Sequence, residues 1–577
     1  MCGICGIVGS NGQPVDGRSL ECMMDAMIHR GPDDAGKMLR GRVGLGFRRL
    51  AILDLQQGRQ PMSNEDGTVW TVVNGEIYNY KALRDELRAR GHSFGSYCDA
   101  EIIPHMYEEW GVDLVHRLRG MFVIAVYDRL KDDVYLIRDH FGIKPLYYAD
   151  RDGWFVFASE IRSILASGVV RPEVDPQSLW YYLTFQYVPD PGTMLRGIRK
   201  LAPAHYLRLH AGKVDLHRYW KYEFHPDPTV PFPELVNAVK DRLRESVRLH
   251  TMSDVPIGAY LSSGVDSGAI VTLLRERGQI DTFSVGFADS AGEADETVLA
   301  GITARALGTR HHEVHVTARR YQETWPRIIA SQEDVIGDPS APALYFLAEA
   351  AKPHVKVVLS GEGADELFGG YPIYGEPNSL RVFDYLPGHV RSTLGTVARF
   401  LPPGIKGQGF LERGSLPVRQ RYLGNARIFS EKEKGAFVTA SPGAQGWGNP
   451  LDLVAPYYEA TEHVDDITGM QTVDGCTWLP GDILMKADKM AMAHSVELRV
   501  PFLDIEVFKT AAVIPARYRV ANGTTKYALR QALKGILPSS LADRPKLGFP
   551  VPIGHWLSHD MRDFARDVIN SSRSELL

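Results

Sequence analysis

Tyr260-Leu261-Ser262-Ser263-Gly264-Val265-Asp266-Ser267-Gly268 stands between a run that reads as a strand, 257–261, and one that reads as a helix, 269–277. Backbone N–H groups and small hydroxyls at a helix N-terminus cradle a pyrophosphate, and an acid in the same loop can hold Mg²⁺. Alone, the stretch reads equally well as a plain turn with capping serines. A second stretch decides. Ser360-Gly361-Glu362-Gly363-Ala364-Asp365-Glu366-Leu367-Phe368-Gly369-Gly370-Tyr371 also follows a strand-like run, 355–359, and sets three acids among glycines that allow a ligand close approach. Two such loops at adjacent strand ends make a crevice for a nucleotide and a metal. Runs 282–287 (strand), 297–307 (helix) and 343–351 (helix) continue the alternation, which predicts a parallel sheet with helices on both faces. From about Ser430 onward the periodicity is mainly helical.

Two look-alikes fall away. Gly31-Pro32-Asp33-Asp34-Ala35-Gly36-Lys37 mimics a Walker A loop, but Met38 stands where a Ser or Thr should bind Mg²⁺, and no strand precedes it. Gly361-Glu362-Gly363 begins like a dinucleotide fingerprint and lacks the third glycine.

Outward from these loops, four prolines between 226 and 233 (KYEFHPDPTVPFP, 221–233) disfavour helix and weaken any strand, so the junction between two domains is placed there. Before it, strand-like runs at 68–73, 121–127, 133–138, 154–158 and 205–209 mix with helical patterns at 80–90 and 100–110, which predicts a layered α+β domain. A chain of 577 residues exceeds one hydrophobic core, and its 44% hydrophobic and 23% charged residues are ordinary for a globular protein. The net charge of −5 gives no electrostatic reason to expect a nucleic-acid backbone as partner. The best apolar run, 120–127, is less than half the ~18 residues of a membrane helix. The N-terminus MCGICGIVGSNG lacks a basic region and an adequate apolar run, so no secretory signal is expected. Five cysteines are few and odd in number, which argues against a disulfide framework and fits a reducing cytoplasm.

Removal of Met1 would make Cys2 the first residue, with a thiol and a free α-amine on one residue. An amine titrating near ~7.7–8 can act as general base for that thiol. Cys2 and Cys5 also form a C-x-x-C pair, but no second pair completes a zinc site. What favours catalysis is the company that follows: His29-Arg30-Gly31-Pro32-Asp33, Arg49-Leu50-Ala51-Ile52-Leu53-Asp54, Asn74-Gly75-Glu76-Ile77-Tyr78-Asn79 and Asp99-Ala100-Glu101. They supply an Arg able to clamp a carboxylate, amide N–H groups for an oxyanion, and acids for an ammonium.

On these motifs the first half resembles the class II glutamine amidotransferases. The resemblance implies Cys2 as nucleophile, Asn74 and Gly75 as oxyanion hole, Arg49 on the glutamine carboxylate, and Glu76 and Asp99 on its amine side. The two later loops resemble those of pyrophosphate-loop ATP pyrophosphatases. With Asp482–Asp504 and Gly523-Thr524-Thr525-Lys526, the whole chain is similar to the glutamine-hydrolysing asparagine synthetases of the bacterial B type. That family implies an α+β N-terminal nucleophile αββα sandwich over 1–220, a Pro-rich linker over 221–233, and a Rossmann-like parallel-sheet synthetase domain with a helical C-terminal part over 234–577. It places ATP at Leu261, Ser262, Ser263, Gly264, Val265, Asp266, Ser267, Val285, Ser360 and Gly361, and Mg²⁺ at Asp266 and Asp365. Lys526 would face the leaving pyrophosphate, and Glu362 would manage a proton as ammonia attacks. Taken in isolation, Lys526 reads as a solvated surface lysine. Asp488, Arg499 and Asp504 read equally as buried structural ion pairs and stay off the catalytic set.

The expected substrates are glutamine, ATP and aspartate, with no nucleic acid and no membrane as partners, and with a homodimer left open. Another carboxylate acceptor, such as diaminopimelate, a peptide or a natural product, keeps the same chemistry; the stretch Gln332–Ala341 is where acceptor choice is expected. An RNA-modifying reading fits the loops but not the acidic balance or the lack of a basic aromatic stripe. The family often has Ser-Gly-Gly where this chain has Ser262-Ser263-Gly264, and some members have Ser at the place of Gly268. The closing SSRSELL looks short beside the longer members.

Overall fold

The computed structural model describes residues 2–10, 12–288, 296–401, 405–437, 447–538, 541, 544 and 551–571. The last six residues of the closing SSRSELL, 572–577, lie outside them. The first half contains two six-stranded antiparallel sheets. One runs in the order Arg199–Lys200, Tyr147–Arg151, Trp154–Ala158, Gly3–Gly9, Val43–Arg49, Asp34–Arg40; the other runs Lys213–Arg218, His205–His210, Asp133–Arg138, Gly120–Asp128, Val69–Ile77, Met62–Ser63. Ile4, Val8, Val72, Val123 and Leu136 meet in a core between the sheets. Leu20, Met23, Ile161 and Ile164 cover the outer face of the first sheet from helices Gly17–Asp25 and Ile161–Ala166. Leu83, Leu87, Ile102 and Met106 cover the second from helices Tyr80–Ala89 and Ile102–Trp110. The layers are therefore α, β, β, α.

Strand Gly3–Gly9 was not among the expected runs, and the reason is physical. It is buried along its whole length, with Ile4 and Val8 facing the sandwich and Cys5 and Ile7 facing the helices. A strand covered on both faces shows no polar alternation. The Walker A look-alike dissolves into edge strand Asp34–Arg40, where Lys37 pairs with Glu21.

The proline-rich junction is a packed strap. Tyr222 and Phe224 are buried with ring centroids 4.6 and 5.8 Å from Phe508. His225 N and Asp227 N donate to the carbonyls of Ala512 and Val513, each at 2.9 Å. Helix Phe232–His250 then starts inside the stretch expected to be linker, with Pro231 as its cap and a proline in its first turn. The first turn has no use for the missing N–H, so proline is tolerated there although it breaks helix interiors.

The second half holds a five-stranded parallel sheet in the order Arg310–Val316, Asp281–Phe287, Ile257–Tyr260, Val357–Leu359, Glu497–Arg499. Helices Val265–Arg275, Glu296–Leu307 and Ser340–Ala351 pack on it. The mainly helical part begins with Ala364–Phe368, well before Ser430, and strand Glu497–Arg499 returns from it to the sheet edge. Among the described residues no helix is long and apolar enough to cross a membrane.

Buried ion pairs join the halves. Arg30, fully buried, reaches Glu160 at 3.1 Å and Asp488 at 2.8 Å. Arg119 meets Asp504 at 2.8 Å and Glu245 at 2.8 Å. Arg499, also fully buried, meets Glu497 at 2.6 Å and Glu76 at 3.2 Å, and donates to the carbonyls of His250 and Met252. Asp488, Arg499 and Asp504 are thus members of ion pairs. Truncating one partner of such a pair leaves the other charged in a dry interior, which costs about 3–5 kcal/mol. Arg30→Met is expected to lower the thermal midpoint markedly. The control Arg319→Met removes a pair whose Arg is 88% exposed and should stay within about 0.5 kcal/mol. Equal melting of the two variants would refute the structural weight given to Arg30.

Candidate functional site

Two centres form, one in each half. At the first, Cys2 precedes strand Gly3–Gly9, and its backbone nitrogen donates to Asn74 Oδ1 at 3.0 Å. The Cys2 thiol lies 3.9 Å from the Leu50 carbonyl, and burial pushes its pKa up to about 11. It is therefore protonated at neutral pH and needs a base to attack. Cys5 sits on the other face of the strand, among Met23 and Met24, so the C-x-x-C pair is no chelate.

Asn74, Gly75 and Glu76 come from strand Val69–Ile77. Gly75 has φ +146°, and a Cβ there would stand 1.9 Å from the Met121 carbonyl oxygen on the neighbouring strand. No other residue fits that backbone. Arg49 ends its strand with the guanidinium in the same pocket, but the fork is engaged by the carbonyls of Leu53, Asp54 and Leu55 at 3.1, 2.5 and 3.3 Å. Asp99 Oδ2 accepts from Ile77 N at 2.7 Å, and Glu76 faces Arg499. Burial raises both carboxyls above their ordinary range, against the pull of Arg499 on Glu76. Two dry acids side by side favour an incoming cation.

Cys2, Arg49, Gly75, Glu76 and Asp99 line one cavity of 30 Å³, about the share of a single water. Asn74 lies behind it, through its bond to Cys2. For the guanidinium to clamp a carboxylate here, it must exchange its carbonyl partners for it.

The second centre lies where the sequence placed it, at the carboxyl ends of the adjacent strands Ile257–Tyr260 and Val357–Leu359. A cavity of 430 Å³ collects all ten residues expected at ATP, together with Glu362, Asp365 and Lys526. The first loop is tied to itself: Ser262 N donates to Ser267 Oγ at 3.0 Å, and Gly264 N to Ser262 Oγ at 3.1 Å. The two loops touch at Gly361, where a Cβ would stand 2.9 Å from both Asp266 Cβ and Ser267 N.

Lys526 is only 4% exposed and adopts φ +54°. Its ammonium pairs with Asp266 and, at 2.7 Å, with Asp365, so the reading as a surface lysine is overturned. Burial works against its charge, yet the two carboxylates hold its pKa above the usual lysine value. Burial also raises the Glu362 carboxyl, opposed by Lys486, which suits a group that carries a proton.

The wall contains residues that the sequence did not single out: Glu296, Tyr371, Trp478, Lys486 and Arg530. Asp338, in the stretch expected to govern acceptor choice, lines the cavity and pairs with Lys486. Lys486 also meets Asp482 at 3.0 Å, and that carboxyl is pushed by burial up to about 7. Glu296, Trp478 and Arg530 carry no local signal, whereas Asp338, Tyr371, Asp482 and Lys486 fall within stretches already marked in the sequence.

A family model described as "Glutamine amidotransferase domain" matches residues 1–220, and one described as "Asparagine synthase" matches 238–577. "Asparagine synthetase [glutamine-hydrolyzing] 1" of Bacillus subtilis is 42% identical, over 100% of this chain and 91% of its own length. "Putative asparagine synthetase [glutamine-hydrolyzing]" of Mycobacterium tuberculosis is 41% identical, over 95% and 86%. "Asparagine synthetase [glutamine-hydrolyzing] 3" of Bacillus subtilis is 30% identical, over 95% and 87%.

The contact at Gly361 is testable. Gly361→Ala must push the two loops apart, an overpacking of about 1–3 kcal/mol. It is expected to weaken ATP binding at least tenfold in a calorimetric titration while the chain stays folded. Unchanged affinity would show that the loops are free to separate.

Proposed function

This chain belongs to the asparagine synthase family and carries a glutamine amidotransferase domain, and from that premise we propose that it converts L-aspartate, ATP and L-glutamine into L-asparagine, AMP, pyrophosphate and L-glutamate. The observation that carries the proposal is the gathering, in one cavity, of both acidic loops and Lys526 in a chain whose other half sets Cys2 against Asn74 and Gly75.

At the first centre, removal of Met1 turns the nitrogen that donates to Asn74 Oδ1 into a free α-amine. That amine takes the thiol proton as Cys2 Sγ attacks the side-chain amide carbon of glutamine. The side-chain amide of Asn74 and the N–H of Gly75 hold the oxyanion. Collapse expels ammonia and leaves a thioester, which water hydrolyses to glutamate. Glu76 and Asp99 receive the α-ammonium, and Arg49 exchanges its carbonyl partners for the α-carboxylate.

At the second centre, a carboxylate is a poor electrophile, and attachment to AMP gives it a good leaving group. The side-chain carboxylate of aspartate attacks the α-phosphorus of ATP and expels pyrophosphate toward Lys526. Ammonia then attacks the acyl-adenylate, and Glu362 takes the proton that ammonia loses. Asp338 and Lys486 offer opposite charges to a zwitterionic acceptor, which supports aspartate over an acceptor without an α-amine.

Asp266 and Asp365 converge on one ammonium, a donor set of carboxylate oxygens that suits Mg²⁺. When bound there, Mg²⁺ would neutralise charge on the phosphates. We place the protein in the cytoplasm, consistent with five free cysteines.

The test follows nitrogen. With amide-¹⁵N glutamine, ATP, Mg²⁺ and aspartate, the Met-processed protein is expected to give ¹⁵N-asparagine and AMP in equal amounts. Cys2→Ala should abolish the glutamine-dependent product and keep the ammonia-dependent one. Glutamate without asparagine or AMP would overturn aspartate as the acceptor, and full glutamine-dependent activity in Cys2→Ala would overturn the nucleophile.

A further inference from the structure

The glutaminase half holds a second cluster of chemistry-bearing side chains, none of which lines the Cys2 cavity. The turn between strands Met62–Ser63 and Val69–Ile77 supplies Glu65. The loop after helix Tyr80–Ala89 supplies His92. Helix Ile102–Trp110 supplies His105 and Glu108, which share a face at i, i+3. One ligand atom from each of the four lies within 4.8 Å of all the others.

The arrangement has the dimensions of a metal site. Glu65 Oε1 is 3.2 Å from His92 Nδ1, and Glu65 Oε2 is 3.1 Å from His105 Nδ1. Around an ion with ligand bonds of about 2.0–2.1 Å, the edge of a tetrahedron is about 3.3 Å. The two contacts, made by the two oxygens of one carboxylate, are each close to that length, and the four side chains already bring ligand atoms within 4.8 Å of one another.

The supporting contacts also fit. His92 Nε2 faces Glu109 Oε1 at 3.4 Å, and Arg90 holds Glu109 at 2.8 Å, which places a carboxylate behind the imidazole as in ligating histidines. Ser93 N donates to Glu65 Oε1 at 2.8 Å, and Asn64 Nδ2 to Glu108 Oε2 at 3.2 Å. His105 is 1% exposed and packs edge-on against Phe94 at 4.7 Å. Its Nε2 is buried with no hydrogen-bond partner among the described residues. Hydrogen bonding of Glu65 to two imidazoles would account for the short contacts, but not for the approach of a Glu108 oxygen to the same point.

We propose that Glu65, His92, His105 and Glu108 bind one first-row divalent transition ion of the Zn²⁺ kind. Two imidazoles with two carboxylates favour Zn²⁺ over Mg²⁺ or Ca²⁺, which take oxygen ligands alone. The ion ties the turn 64–68 and the loop 90–97 to helix Ile102–Trp110. That loop runs directly into Asp99, and Glu101 already binds it through Gly95 N at 2.6 Å and Ser96 N at 2.8 Å. The ion therefore steadies the backbone that carries Asp99 into the glutamine pocket.

The test titrates ZnCl₂ by calorimetry into full-length Cys2→Ala protein in Mg²⁺-saturated buffer, which removes the reactive thiol and occupies the acids of the second centre. One ion per chain is expected, with at least tenfold weaker binding in His92→Gln and in Glu108→Gln, both at positions that are not fully buried. Circular dichroism checks that each variant is folded, and a visible Co²⁺ spectrum of a four-coordinate ion should appear in the parent and vanish in both. Zinc affinity equal in parent and folded variants, or no saturable binding to the parent, would overturn the site. If Glu108→Gln fails to fold, His92→Gln alone decides on the same criterion. Failure here leaves the synthetase reading untouched, because none of these residues takes part in it.

Discussion

Two arginines buried between the halves link the residues of one centre to those of the other. Arg30 is the clearest instance: its Nε donates to the Cys2 carbonyl at 3.2 Å while its other nitrogens hold Asp488 and Glu160. Asp488 belongs to helix Leu484–Met492, and two residues earlier Lys486 lines the nucleotide cavity and pairs with Asp338. Arg499 makes a second bridge. Its guanidinium reaches Glu76 beside the glutamine pocket, and its carbonyl accepts from Ser360 N, the first residue of the second phosphate loop, at 2.9 Å. Such pairs add little net stability once desolvation is counted, and their removal by halves is costly. Their consequence is register: the halves meet in one orientation, because any other leaves an arginine or a carboxylate dry and unpaired.

The same dryness tunes the chemistry. Burial raises the Cys2 thiol, the Glu76 and Asp99 carboxyls and Glu362 together. A thiol with a raised pKa stays protonated until a base reaches it, and a carboxylate with a raised pKa is the stronger base, which holds a proton more firmly once it takes one. Ammonia in water at neutral pH is mostly protonated and then cannot attack.

The phosphate loops were legible in the sequence because their work is local. A strand, a glycine-bearing turn and a helix start are contiguous, and the structure adds only that the two strands are neighbours. The Cys2 half was legible as motifs in order, with Gly75 marking a strand position that forbids a Cβ. What escaped was set by partners far along the chain. Lys526 is placed at the pyrophosphate through its motif alone, and its pairing with Asp266, 260 residues away, is not foreseen. Arg30 and Asp488 are 458 residues apart, and no local pattern joins them. Strand Glu497–Arg499 has three residues, two of them charged, yet it is wholly buried because its charges are satisfied across the interface. Periodicity reads hydrophobic burial and is blind to burial of that kind.

The two departures of the first loop from the family pattern show how a site absorbs substitution. Ser263 replaces a glycine in a loop that works through backbone groups, and it is only 3% exposed, so its hydroxyl must find a partner. It finds Glu296 at the start of helix Glu296–Leu307: both its N and its Oγ lie 3.3 Å from Glu296 Oε1. The serine thereby fastens the loop to a neighbouring helix through Glu296, which itself stands in the cavity wall. Gly268 is the converse case. A Cβ there would stand 2.1 Å from Leu541 Cδ2, so a serine at this place requires the leucine to move. One departure adds a side chain where an acceptor waits, and the other omits one where a distant residue has filled the space. In both, the loop keeps its backbone and the partner absorbs the change, which is why a phosphate loop of this kind is recognised more securely by its position between strand and helix than by the identity of any one residue in it.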